Sequence, residues 1–355
     1  MIEDLILDHI KRLKPYQSAR SLYLKQGGIL LDANENPLGS VIDSEYSGIS
    51  LNRYPDPKQN ALRQAVSTLI NVPIEKLFFG VGSDEIIDLL MRLFCAPQKD
   101  TILIVEPTYG MYLTVSEIQN VEHHICLLDA NFQISTEKVI SSVLPSDKMI
   151  FLCSPNNPTG NLLSEKEVEF IALSFPGIIV VDEAYIDFAR DGASMINLCE
   201  KYRNVVILRT FSKAWGMAAA RCGYTVADPE VILNLFKIKA PYSINVLTEK
   251  AILQAIKNNR EKDIMINRII AQKEILIEEL KKISYIERIF PSDANYILIR
   301  LPMAKEIQKV LADKGVIIRD RSSQPMLENC LRISVGTSDE NKKLIECLKI
   351  VSEEI

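Results

Sequence analysis

Lys213 directly follows Ser212 at the end of Val205-Val206-Ile207-Leu208-Arg209-Thr210-Phe211, where four consecutive apolar β-formers read as a buried strand. A lysine just past the carboxyl end of such a strand sits where open α/β sheets bind their ligands. Partial desolvation there lowers its pKa and frees the amine for Schiff-base chemistry. Two further apolar runs deliver polar residues in the same way. Residues 149–153 open onto Ser154-Pro155-Asn156-Asn157-Pro158-Thr159-Gly160, and residues 178–181 open onto Asp182-Glu183-Ala184-Tyr185. If the three strands are parallel neighbours, Asn157, Asp182, Tyr185, Ser212 and Lys213 converge on one crevice.

Pyridoxal phosphate asks a protein for that set. It needs a lysine for its aldehyde, a carboxylate to keep the pyridine nitrogen protonated, hydrogen bonds to the ring oxygen and donors for the phosphate. Taken singly, the residues are ordinary: a Lys after a strand is usually solvated, and an Asp there is usually a cap or turn former. Their order on successive strands makes the chemical reading the stronger one.

The elements around them support it. Gly82-Ser83-Asp84 precedes a helical face of Ile86, Leu89, Leu90, Leu93 and Phe94. A turn of this kind opening a helix offers backbone N–H groups and the positive end of the dipole to a phosphate; the alternative is a plain N-cap by Ser83. With Ser212-Lys213 in the same chain the phosphate reading is preferred. Arg221, just before a strand expected over residues 223–227, has a guanidinium suited to forking onto phosphate. Residues 101–105 read as another strand, with Tyr109 in the loop after it. Residues 57–71 carry a further helical face, and Ser164-Glu165-Lys166-Glu167 reads as a capping box.

Three of these motifs, Ser154 to Gly160, Asp182-Glu183-Ala184-Tyr185 and Arg209-Thr210-Phe211-Ser212-Lys213-Ala214-Trp215-Gly216, resemble the fold-type-I pyridoxal-phosphate aminotransferases. Within them the chain is most similar to the histidinol-phosphate aminotransferase branch. That likeness rests on Leu31-Asp32-Ala33-Asn34-Glu35-Asn36-Pro37-Leu38-Gly39, Arg53-Tyr54-Pro55-Asp56, Pro107-Thr108-Tyr109-Gly110-Met111-Tyr112, and Gln324-Pro325 leading to Cys330-Leu331-Arg332-Ile333-Ser334-Val335-Gly336-Thr337. The resemblance implies an α/β fold with a mostly parallel central sheet, helices on both faces and a smaller α/β C-terminal domain. It implies amino transfer between L-glutamate and imidazole-acetol phosphate, so that histidinol phosphate, glutamate and 2-oxoglutarate are the small-molecule partners. It also implies that Tyr109 stacks on the cofactor, that Tyr16 and Asn34 line the substrate site, and that Tyr54 is lent across a homodimer interface to the partner's cofactor phosphate. A threonine-phosphate decarboxylase, an aromatic amino-acid aminotransferase and a non-catalytic binding module on the same fold are the alternatives; the intact Lys213 speaks against the last.

Composition agrees with a soluble enzyme. The 355 residues are 47% hydrophobic and 25% charged, enough for two domains with substantial cores. A net charge of -5 lacks the basic footprint of a nucleic-acid binder. No apolar run has the length of a membrane span, and Glu3, Asp4 and Asp8 stand where a signal peptide is basic, so a cytoplasmic location is expected. Seven scattered cysteines without a CxxC pair fit buried reduced thiols, and three histidines, two of them adjacent on a strand, give no metal site. Nucleotide-binding glycine fingerprints are missing as well.

The N-terminus predicts one short amphipathic helix stopping before Pro15, followed by a loop-rich arm through Tyr54. The expected division is 1–40 as helix and arm, 41–235 as the large cofactor domain and 236–355 as the small domain. The last contains a long charged helical stretch to about residue 283 and short strands at 295–301, 316–319 and 331–335. Its strand-borne Arg319 and Arg332 are the residues best suited to an anionic substrate.

Overall fold

The structure, a computed structural model, describes residues 2–14, 33–42 and 48–354, with the backbone alone for 351–354. Seven strands form the larger sheet: β1 (Leu77–Gly80), β2 (Thr101–Glu106), β3 (Glu122–Leu127), β4 (Asp147–Cys153), β5 (Ile178–Asp182), β6 (Val205–Thr210) and β7 (Gly223–Val226). Their order is β1-β7-β6-β5-β4-β2-β3. Strands β2 to β5 run parallel, and β1 and β7 pair antiparallel. Every residue of β1, β2, β5 and β7 is buried, which is why these strands read as unbroken apolar runs instead of alternating ones.

The expected strands over 149–153, 178–181 and 205–208 are therefore β4, β5 and β6, adjacent in the sheet. The helical face after Gly82 is also present: helix Gly82–Phe94 buries Ile86, Ile87, Leu89, Leu90 and Leu93. All seven cysteines are buried free thiols. Among the described residues no helix is long and apolar enough to cross a membrane.

A second sheet contains β8 (Arg288–Ile289), β9 (Tyr296–Arg300), β10 (Arg319–Asp320) and β11 (Cys330–Ser334), in the antiparallel order β10-β11-β9-β8. Ile297, Ile299, Leu331 and Ile333 from its strands pack with Leu276, Leu280, Ile307, Leu311 and Leu348 from helices Asn259–Leu280, Ala304–Asp313 and Ser338–Glu354 in one core cluster. Contacts group the chain into two compact units, residues 1–96 with 208–259 and residues 97–207 with 260–355.

Three local expectations are corrected. The single N-terminal helix is two, Ile2–Leu5 and Asp8–Arg12, because Leu7 is extended and donates its N–H to the Leu93 carbonyl. The break lets Ile2, Ile6 and Ile10 all bury. The charged stretch divides at Asn258 into Val246–Lys257 and Asn259–Leu280, where two adjacent asparagines favour a local turn over continued helix. The strand at 316–319 shrinks to Arg319–Asp320. Gly315, with φ +81°, ends the preceding helix, so the Val316 N–H is spent on Leu311 O, and Ile318 O accepts from Gln308 Nε2.

The packing of β7 on the start of helix Gly82–Phe94 admits no side chain at Gly223. A Cβ there would lie 2.5 Å from Ser83 N, 2.7 Å from Gly82 C and 3.1 Å from Arg209 O, all backbone atoms that can yield only by moving the elements. Gly223→Ala is expected to cost about 1–3 kcal/mol, the range for overpacking. Thermal and urea unfolding measure it; an unchanged midpoint would contradict this packing.

Candidate active site

In the first compact unit Arg221 lies against the start of helix Gly82–Phe94. Val81, not Ser83, is the N-cap residue, and no side chain caps the helix. The alternative of a plain N-cap by Ser83 thus fails. Gly82 has φ +76°, a conformation glycine adopts at little cost, and a Cβ on it would lie 2.7 Å from Arg221 Nη2. Arg221 is itself left-handed at φ +49° and reaches Asp84 Oδ2 at 3.4 Å. A pair this long and this exposed contributes at most about 1 kcal/mol, but it holds the planar fork beside the first turn. The helix N-terminus and the guanidinium both favour an anion there.

Ser212 follows β6, with the Thr210 hydroxyl bonded to both its N–H and its Oγ. The loop is fixed from below: Phe211 N–H donates to Cys222 O, Met217 N–H to Phe211 O and Gly216 N–H to Lys213 O. Lys213 is exposed, so the partial desolvation expected from its place after a strand is not what this chain's own atoms give it. In the arm, the buried Glu35 carboxylate accepts from Arg53 Nη1 and Tyr54 N, each at 2.7 Å. Asn34 is exposed at φ +55°, and Tyr54 is 51% exposed and stacked on Tyr242 at 4.5 Å. Tyr16 lies outside the described residues.

The second unit gathers the other candidates. Asp182, 2% exposed at the end of β5, accepts from Tyr112 Oη at 2.9 Å and from Ala184 N at 3.0 Å. Tyr112 is stacked on Phe151 at 4.7 Å. Burial, and then the Asp182 charge, push its hydroxyl well above the usual tyrosine range, so it stays a proton donor to the carboxylate. Tyr109, half-buried, meets Tyr112 edge-on.

The loop after β4 is held by Asn156. Its Nδ2 donates to Pro107 O and Thr159 Oγ1, its Oδ1 accepts from Thr108, and its carbonyl accepts from Tyr296 Oη at 2.6 Å. Asn157 beside it is buried, and its Oδ1 accepts from Arg332 Nη1. The Arg332 guanidinium also lies 5.2 Å from the centre of the Tyr296 ring, which Tyr185 meets edge-on at 5.0 Å. Burial is the main cause that raises the Tyr185 pKa, leaving it a neutral donor. Arg319 is exposed and stands opposite Arg332 in the β10–β11 ladder.

One unit thus brings together Asn157, Asp182, Tyr185 and Arg332; in the other, Gly82, Ser83, Asp84 and Arg221 meet at the helix start, and Ser212 and Lys213 lie in the loop after β6. Sequence reasoning missed Tyr112, the donor that holds Asp182. The available signal was a polar-tipped aromatic one turn after Tyr109. It also missed Arg321, which shares strand parity with Arg319 and is half-buried where Arg319 is exposed.

The family described as Aminotransferase class I and II matches residues 22–348. A histidinol-phosphate aminotransferase of Cytophaga hutchinsonii is 48% identical over 98% of both chains, and one of Christiangramia forsetii is 40% identical over 99% of both. Among solved structures, the histidinol-phosphate aminotransferase of Clostridium acetobutylicum has a TM-score of 0.80 at 25% identity, covering 91% of this chain and 98% of that one. The Sinorhizobium meliloti enzyme, solved in complex with pyridoxal-5'-phosphate, has a TM-score of 0.79 at 21% identity, covering 90% of each chain. With a family match over most of its length and relatives that span it almost end to end, the chain belongs to the class I and II aminotransferases.

Proposed function

We propose that the chain transfers an amino group between L-glutamate and imidazole-acetol phosphate, giving L-histidinol phosphate and 2-oxoglutarate in histidine biosynthesis, with pyridoxal phosphate as cofactor. The observation that carries this reading is the Arg332–Asn157 contact, which joins an arginine suited to a substrate anion to the loop suited to the cofactor ring. The near full-length likeness to histidinol-phosphate aminotransferases supports it.

The donor set fits the cofactor. A glycine backbone at Gly82 with no room for a Cβ beside Arg221, and a helix start without a side-chain cap, suit a phosphate ester. We assign its phosphate to Ser212, Arg221 and the backbone of Gly82, Ser83 and Asp84, with Tyr109 against its ring. Bound there, the cofactor supplies a sink for the electrons released at the substrate carbon. The Lys213 amine takes up and returns the proton at that carbon. Asp182, kept an acceptor by two donors, offers a negative charge that holds the pyridine nitrogen protonated. Since Arg332 has only donors, it occupies the carbonyl end of Asn157, and the amide N–H groups are the end left to reach the ring oxygen together with Tyr185.

Arg332, with Arg319 and Tyr16 and with Asn34 at the entrance, takes the substrate anion. Its planar fork suits carboxylate and phosphate in turn. By this reading residues 41–235 bind the cofactor and residues 236–355 form the smaller domain, which the separate core around the four-stranded sheet favours. The protein works in the cytoplasm as a homodimer with shared sites. Exposed Leu38, Val41 and Tyr54 on one arm are apolar and aromatic surface for a second subunit to cover.

Three outcomes test this reading. Purified protein given glutamate and imidazole-acetol phosphate should form 2-oxoglutarate, at a kcat/KM well above that for phenylalanine or tyrosine as donors, and should release no carbon dioxide from threonine phosphate. Preferential carbon dioxide release would reassign it as a decarboxylase. Borohydride should leave the cofactor's mass on the peptide bearing Lys213; a tag on another lysine would remove Lys213 from its role. Mixing inactive Tyr54→Ala and Lys213→Ala variants should restore part of the activity through one hybrid site, and no recovery despite demonstrated subunit exchange would mean that each site is complete within one chain.

A further inference from the structure

Arg319 and Arg332 stand opposite each other across β10 and β11, and side chains two residues apart along a strand share a face. Arg321 continues that alternation, its N–H bonded to Cys330 O at 2.9 Å. Three guanidinium groups are therefore directed to one side of the second sheet. Arg332 and Arg319 act on Arg321 as like charges, and the Tyr185 and Tyr296 hydroxyls that also bear on it are kept neutral by burial. Asp320, the nearest acid in sequence, spends its Oδ1 on the N–H and hydroxyl of Ser322. The Nε atoms of Arg321 and Arg332 are buried without a hydrogen-bond partner among the described residues. Burial first, then the two like charges, lower the Arg321 pKa to about 10, which leaves it a cation at neutral pH.

Crowded cations with buried, unused donors are relieved by an anion, and the amount of relief depends on its charge. A carboxylate brings one negative charge, whereas a phosphate monoester brings about 1.5–2 near pH 7 and three acceptor oxygens. We propose that Arg321 binds the substrate phosphate and makes this anion site favour a phosphate monoester over a carboxylate, a reading that rests on the substrate assignment above. Arg332 serves both substrates; Arg321 serves the phosphate alone.

The test uses holoenzyme and two readouts: each half-reaction followed through the cofactor's absorbance, and calorimetric binding of inorganic phosphate, which needs no turnover. Arg321→Gln is expected to raise the KM for histidinol phosphate and the Kd of inorganic phosphate roughly 10- to 100-fold, the size of a lost charge-assisted hydrogen bond, with glutamate changed less than about 3-fold. Arg321→Lys, which keeps the charge without the fork, should lose less, and for phosphate only; it decides the matter if the Gln variant fails to hold cofactor. Arg332→Lys should weaken both substrates. Equal phosphate binding by wild type and the Arg321 variants, or equal losses for glutamate and phosphate, would overturn the inference. A wild type inert toward histidinol phosphate sinks the substrate assignment instead, and phosphate binding that weakens in Arg321→Gln then still upholds the anion site.

Discussion

The constraint on which the second unit depends is the burial of the Asp182 carboxylate. An unpaired ionised carboxylate in a protein interior is costly, and in practice it protonates unless donors and charges hold it ionised. Here a tyrosine hydroxyl and a backbone N–H supply the donors. Tyr112 can do so only because helix Met111–Ile118 follows β2 and lays its ring on Phe151 of β4, the strand paired with β5. The register of three parallel strands is thereby tied to one oxygen-to-oxygen distance. A one-residue slip of β5 would turn Asp182 to the other face of the sheet.

The first unit would face the opposite problem if it holds the cofactor phosphate as proposed, since donors must then be left for the ligand. Its helix begins without a side-chain cap among the described residues, Gly223 lets β7 close against the Gly82–Ser83 backbone, and Arg221 is held in a left-handed conformation beside Gly82. Under the proposed function these features would leave the helix start open to an anion. The exposure of Lys213 suits the amine role proposed for it, which requires that the amine be reached.

Arg332 links the two tasks of the second unit. Its contact with Asn157 orients the amide, and its position over Tyr296 fixes the ring on which Tyr185 rests. Under the proposed function one guanidinium would accept a carboxylate and a phosphate in turn, and it could not by itself prefer either. Selectivity then has to come from charge placed around it, which is the role the geometry leaves to Arg321.

Much of this was legible in residue order. Apolar runs of four or five residues leading to Asn157, Asp182 and Ser212-Lys213 marked three strands and their polar ends, because a strand buried on both faces has to be apolar throughout and can turn polar only where it ends. Helix Gly82–Phe94 was readable from its period, and the seven thiols from their scatter. The sequence could not say that Val81 would take the cap position, that Leu7 would break a helix to reach the Leu93 carbonyl, or that Gly315 would use up the backbone of an expected strand. The Val81 cap and the Gly315 helix end depend on backbone conformation and bonds within a few residues, and the Leu7 break on a partner far away in the chain. The donors to Asp182 and the company of Arg321 were hidden for the same reason: Tyr112 lies 70 residues from its acceptor, and the cations around Arg321 come together only when β10 and β11 pair. Local pattern determined the elements and their chemistry, and the tertiary structure decided which polar atoms found partners and which were left for a ligand.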